Sequence, residues 1–196
     1  MKAAGILVLL ILLGGAAFFG YQKINAPNAA KASGVATQTP AQMAENAASF
    51  DKKVATLQPG TGSKQDVSVV LTQDEVNAKV AEALSTANAS GEMPVKSVTV
   101  KLGQDAAVVT GVANLGGQEL PVEAQVKVGA NGGLLDLNVT SLKAAGVPVP
   151  DAVKDQLIQQ AETAMGGKDL SKLNVGIDLK SINLADGKVT IDGQTR

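Results

Sequence analysis

The stretch Leu120–Thr140 reads LPVEAQVKVGANGGLLDLNVT, and its reading decides the fold. Leu120, Val122, Ala124, Val126 and Val128 alternate with Glu123, Gln125 and Lys127; after Asn131-Gly132-Gly133, Leu135, Leu137 and Val139 alternate with Asp136, Asn138 and Thr140. A period of two sends every second side chain to the same face of an extended strand. Asn and Gly accept the positive φ of a tight hairpin turn, so the two runs predict antiparallel neighbours with one apolar and one wet face.

The same period continues towards the N-terminus. Val98, Val100 and Leu102 alternate with Ser97, Thr99 and Lys101, Gly103–Asp105 marks a turn, and Ala106–Ala113 reads as a further strand. Leu115-Gly116-Gly117 then turns the chain into the Leu120 strand, where Pro121 suits an edge or a strand start. Connections this short join antiparallel neighbours, which predicts a meander. Upstream, Val67, Val69 and Leu71 predict a strand, and Thr72-Gln73-Asp74-Glu75 predicts a capping box. The helix behind it carries Val76, Val80, Ala83, Leu84 and Ala87 on one side, pairs Glu75 with Lys79, and stops at Gly91 and Pro94. Met43, Ala47, Phe50, Val54 and Leu57 give one apolar face of an earlier helix, expected to pack on the body and closed by Pro59-Gly60. Downstream, AAGVPVP (Ala144–Pro150) is an apolar loop, and Asp151 caps a helix striped by Val153, Leu157, Ala161 and Met165, with Gly166-Gly167 at its end. Leu173, Val175, Ile177 and Leu179 alternate, Asp186-Gly187 is a hairpin signal, and Val189 and Ile191 belong to the last strand.

Residues Ala3–Gln22 form twenty consecutive positions without a charge. At about 1.5 Å per residue such a helix spans a hydrocarbon core of roughly 30 Å. Tyr21 and Lys23 suit the interface and the apolar run continues through Phe18 and Phe19, so an uncleaved anchor is expected. The alternative is a signal peptide with small residues Gly15-Ala16-Ala17 at its cleavage site. Either reading places the body outside the cytoplasm. Asn25–Pro40 (NAPNAAKASGVATQTP) reads as a flexible linker. The expected organisation is therefore an anchor or signal segment at 1–23, a linker at 24–41 and an extracytoplasmic domain at 42–196. The expected class is α+β: an N-terminal transmembrane helix, then one domain with a curved antiparallel sheet packed around amphipathic helices.

Composition narrows the chemistry. A net charge of −1 leaves no electrostatic footprint for nucleic acid. Without cysteine the exported body uses no disulfide, and without histidine it lacks the commonest general base and metal ligand. Phe50 is the only aromatic residue after Tyr21, so stacking platforms for bases or sugars are missing. Ser49-x-x-Lys52 matches a serine–lysine nucleophile pattern but has no companion S-D-N or K-T-G, and both residues are expected on the polar face of their helix. Gly166-Gly167-Lys168 lacks phosphate-loop spacing, and a helix end explains it better. Asn88-Ala89-Ser90 and Asn138-Val139-Thr140 match glycosylation acceptors at a length that recurs by chance. No carboxylate pair, metal set or cofactor motif stands out, so no enzyme is expected.

The apolar sheet face remains. It is either an ordinary core or a groove for an acyl chain, which needs apolar area and no directed bonds. Val98, Val100, Leu120, Val122, Val126, Leu135, Leu137 and Val139 would form the sheet wall of such a groove, and Val153, Leu157 and Ala161 its helix wall. Val147 and Val149, in the charge-free loop, would touch the membrane. The alternative is a non-catalytic structural or protein-interaction module at the membrane, docking through the Met43–Leu57 helix to an envelope partner.

Several segments in order resemble the LmeA-like phospholipid-binding family of bacterial envelope proteins: the anchor, VVLTQDEVNAKV (Val69–Val80), PVKSVTVKL (Pro94–Leu102), PVEAQVKV from Pro121, GVPVPDAVKDQL (Gly146–Leu157) and LADGKVTIDG (Leu184–Gly193). The resemblance covers nearly the whole body. It implies a curved sheet around a helix, related to the tubular lipid-binding group, together with phospholipid binding and a part in envelope maintenance. It carries no catalytic motif.

Overall fold

The computed structural model describes residues 38–57, 64–89, 95–115, 118–164, 169 and 172–196. Its elements are helix α1 (Pro40–Ala55), β1 (Asp66–Thr72), helix α2 (Gln73–Ala89), β2 (Val95–Leu102), β3 (Ala107–Leu115), β4 (Gln118–Asn131), β5 (Leu134–Ala144), β6 (Val147–Pro148), helix α3 (Asp151–Ala164), β7 (Ile177–Ala185) and β8 (Lys188–Thr195). The expected anchor and residues 24–37 of the expected linker lie outside the described residues. No described helix is long and apolar enough to cross a membrane.

The class is α+β, and the strands pair antiparallel throughout. They form two sheets rather than one: a five-stranded meander β2-β3-β4-β5-β6 and a three-stranded sheet β1-β8-β7. The central hairpin turns at Gly132 (φ 58°) and Gly133 (φ 78°), a conformation a side chain with Cβ adopts only at a cost. Beyond this turn the sheets meet. Leu135 and Leu173 exchange backbone hydrogen bonds of 2.9 Å, and Leu179 N–H donates to Gly133 O at 3.1 Å. The second sheet depends on a pairing between β1 and the last strand of the chain, with Val69 opposite Ile191 and Leu71 opposite Val189. Gly193 sits where a Cβ would lie 2.7 Å from Asp178 O, so the β7–β8 contact requires glycine there.

Two strands carry an extra residue. On β5, Val139 pairs with Val126 and Ser141 with Gln125, so Thr140 bulges out. The bulge reverses the alternation, and Leu142 faces inward with Leu135, Leu137 and Val139. On β7, Lys180 does the same between Leu179 and Ser181, which returns Leu184 to the core beside Ile177 and Leu179.

α1 begins inside the stretch read as linker. Thr39 caps it, with Pro40 in the first turn, and Thr39 N–H donates to Gln42 Oε1 at 2.9 Å. Gln38 is tied in as well: its amide donates to Asp74 O at 3.1 Å. The body therefore includes Gln38 and Thr39, which the expected boundary at 42 left out. The loop at 144–150 is a two-residue hairpin turn, Ala145 (φ 51°) and Gly146 (φ 79°), between β5 and β6.

Candidate functional site

The core is one cluster. From the five-stranded sheet it takes Val98, Val100, Leu102, Ala107, Val109, Val122, Ala124, Val126, Leu135, Leu137, Val139 and Leu142. Over them lie Val76, Val80 and Leu84 of α2, Val69 and Leu71 of β1, and Ile177, Leu179 and Leu184 of β7. Seven of the eight expected sheet-wall residues are buried within it, and Leu120 is half-buried. The sequence pattern thus brings the wall together. Leu142, Val109 and Ala124 belong to the same face but were not among the expected residues; Leu142 was concealed by the bulge at Thr140.

The two flanks of this face are covered differently. On the β2 flank, α2 meets the sheet with Val80 fully buried and Val76 and Leu84 nearly so. Two of its polar side chains also bond to the strand backbone. Asn77 Nδ2 donates to Val100 O at 2.8 Å, and Val100 N–H donates to Asn77 Oδ1 at 2.7 Å. One turn earlier, Gln73 Oε1 accepts from Leu102 N–H at 3.0 Å. β2 is an edge strand, and these amides stand in for a neighbouring strand. On the β5–β6 flank, Val149 N–H donates to Leu142 O at 2.9 Å, which starts α3 beside Leu142. Val149, Val153 and Ile158 pack against the core but remain half-buried. The side chains of Leu157 and Ala161, the other two expected helix-wall residues, lie outside the described residues. Val147 is half-exposed at the hairpin tip, whereas Val149 turns back onto the core.

Ser49 does not lie on a polar outer face with Lys52. It is half-buried and points to α2, while Lys52 is exposed. Ser49 Oγ donates to Glu75 Oε1 at 2.5 Å, and Lys53 Nζ lies 2.7 Å from Oε1 and 2.9 Å from Oε2 of the same carboxylate. Thr72 N–H completes the set at 2.8 Å, and Glu75 N–H donates back to Thr72 Oγ1, closing the expected capping box. Burial pushes the Glu75 carboxyl up. The hydrogen bonds from Lys53, Ser49 and Thr72, with the Lys53 charge, outweigh it and hold the group at about 2. A carboxylate held this low, with Lys53 and Thr72 also on its oxygens, is a weak base for the Ser49 proton. The cluster instead fastens α1 to α2. The expected Glu75–Lys79 pair does not form: Lys79 binds Asp51 at 2.8 Å and Glu82 at 2.9 Å, and α1 and α2 share that link too. Ala47 and Phe50 of α1 and Leu57 just beyond its end are buried, so the apolar face of α1 is occupied by the body itself. Among the described residues, no group of three His, Cys, Asp or Glu side chains is placed to hold a metal ion.

Among the described residues the site is thus an aliphatic wall, closed firmly on one flank and covered by half-buried apolar side chains on the other. No protein-family model, curated protein or solved structure matches the chain significantly.

Proposed function

We propose that the chain is a membrane-anchored extracytoplasmic protein whose body binds phospholipid, taking the acyl chains against the inner wall of the five-stranded sheet beside α3. One observation carries the reading. The wall is built from Val, Leu and Ala alone, and its apolar cover on the α3 flank is only half-buried. Acyl chains need apolar area without directed bonds, and such a wall offers that. The anchor supplies the membrane, and the family resemblance supplies a role in maintaining the cell envelope.

Native mass spectrometry of residues 38–196, purified without detergent and followed by solvent extraction, tests the proposal. Phospholipid bound at one or two molecules per chain is the expected result. Val153→Phe, which adds a ring at the helix wall, should lower that occupancy while the protein stays folded. A stable, empty body would reject the groove and leave a packed scaffold.

A further inference from the structure

The two sheets have four edges, and three of them are closed. β2 is capped by the Asn77 and Gln73 amides. β6 is only two residues long, and Pro148 has no N–H to offer. β7 is tied to the central hairpin, where Leu179 N–H donates to Gly133 O. The fourth edge is β1, a strand of seven residues without a lysine, a proline or a bulge.

The pairing shows which groups lie on that edge. Thr195 N–H donates to Gln65 O at 2.9 Å and Gln73 N–H to Gly187 O at 2.7 Å, so the odd-numbered residues between them exchange their backbone bonds with β8. The backbone groups of Asp66, Ser68 and Val70 therefore point away from β8. Thr72 N–H, next in that row, is taken by Glu75 at 2.8 Å, which ends the open edge at Val70. α1 joins the core through Phe50, on the side of Val69 and Leu71, while the side chains of Ser68 and Val70 are exposed on the other face. Val70 is 42% exposed, one of two large apolar side chains left this open among the described residues.

This row is complementary to itself. A two-fold axis through Ser68 sets it against Ser68 of a second copy and sets Asp66 against Val70 in both directions. Three directly opposed pairs exchange six backbone hydrogen bonds, which uses every N–H and C=O of the three residues. Asp66, the one charge in the row, is already met by Lys180 at 2.6 Å, and the two copies of Asp66 stand four residues apart along the strands, about 14 Å. Ser68 Oγ is held by Asp192 at 2.6 Å. Both side chains are thus fixed on their own sheet and leave the backbone edge clear.

We propose that the β1 edge is a dimerisation surface for a second copy of this chain, joined antiparallel through Asp66, Ser68 and Val70 into one six-stranded sheet, β7-β8-β1-β1-β8-β7. A contact of one strand on each side is small for a permanent interface, so the dimer forms and parts reversibly. The inference does not rest on lipid binding.

The chain has no cysteine, so one introduced thiol reports one position. In a hydrogen-bonded antiparallel pair the Cα atoms lie about 5.5 Å apart, within reach of a disulfide. The full chain carrying Ser68→Cys, in a mild non-ionic detergent with micelles in excess, is oxidised with diamide beside a chain carrying Asn183→Cys, which is exposed on β7. Ser68→Cys is expected to give a dimer of unchanged far-ultraviolet circular dichroism at least about tenfold faster than Asn183→Cys. Adding Val70→Pro should abolish that advantage, because proline removes an N–H that the fold of one chain does not use. Should Val70→Pro fail to fold, Val70→Lys takes its place as a guard on the edge. The amides of Ser68 and Val70 should exchange freely in the dilute, reduced chain and at least about tenfold more slowly in the cross-linked dimer. Equal rates at 68 and 183 overturn the dimer. An advantage that the residue 70 variant leaves intact overturns the strand pairing. Slow exchange at both amides in the dilute chain puts another occupant on the edge and overturns the proposal.

Discussion

Helices α2 and α3 both follow a strand, begin with acidic residues and present an apolar stripe to the same core, yet they are joined to it in different ways. α2 has a fully buried Val80, two side-chain amides bonded to the β2 backbone and a carboxylate that gathers α1 onto it. α3 offers Val153 and Ile158 half-buried, and the ion pair of its first turn, Lys154 with Asp151 at 2.8 Å, stays within the helix. Directional bonds to a strand edge permit one position, whereas apolar contact permits sliding and separation at small cost. Under the proposed lipid binding, the α2 flank would serve as the fixed wall and the α3 flank as the side that admits the guest.

The largest test sets a charge on each helix. Val80→Asp buries an unpaired carboxylate against β2 and should cost more than about 4 kcal/mol, in practice unfolding the protein, while Ile158→Asp should cost under about 2 kcal/mol because its side chain can turn to water. Equal losses in urea titrations would erase the difference between the flanks. Next come the strand-edge bonds. Asn77→Ala leaves the N–H and C=O of Val100 without partners and should cost about 2–3 kcal/mol; Gln73→Ala, which frees one N–H, should cost about 1 kcal/mol. Exposure of the β2 edge in Asn77→Ala should also promote self-association, visible by analytical ultracentrifugation.

Acid sharpens the comparison from the side of charge. The Glu75 carboxyl titrates at about 2 in the folded protein against 4.5 as a free side chain. A depressed folded value means that its stabilisation is complete above pH 4.5 and is lost as the pH falls from there towards 2. The loss should be roughly 2–3 kcal/mol, and Glu75→Gln should remove that part of the pH dependence. Asp151 is also held below its usual range, by the hydrogen bond and charge of Lys154, but it is fully exposed, so Asp151→Asn should leave the acid limb nearly unchanged. Hydrogen exchange gives a smaller effect: backbone amides of α3 should exchange on the order of tenfold faster than those of α2. Lipid bound on the α3 flank should narrow that ratio. The smallest effect belongs to the tip, where Val147→Asp should change stability by less than about 0.5 kcal/mol while reducing vesicle contact.

Much of this was legible in the chain. The stripe of α1, the Thr72–Glu75 capping box, the alternation of β2 and β4 and the turns at Gly132-Gly133 and Asp186-Gly187 all follow from spacings within a few residues. So does most of the apolar wall, from Val98 to Val139. The bulges were not legible, because Thr140 and Lys180 are extra only relative to the strands they face. Nor was the role of Ser49, whose partner lies 26 residues away, or that of Asn77, whose two bonds reach β2 23 residues on.

The sequence by itself determined most of the helices and strands, the apolar face of each up to its bulge, and that the site lacks histidine, cysteine and, beyond Phe50, aromatic residues. These are local or compositional properties, written in periods of two and 3.6 and in the residue inventory. Only the tertiary structure decided that β1 closes a second sheet with β8, that Leu142 and Leu184 return to the core, and that Asn77 and Gln73 of α2 bond to the edge strand β2. Each of these depends on a partner brought near by the rest of the fold, and neither hydrophobic alternation nor a cap specifies which distant strand or side chain that partner is.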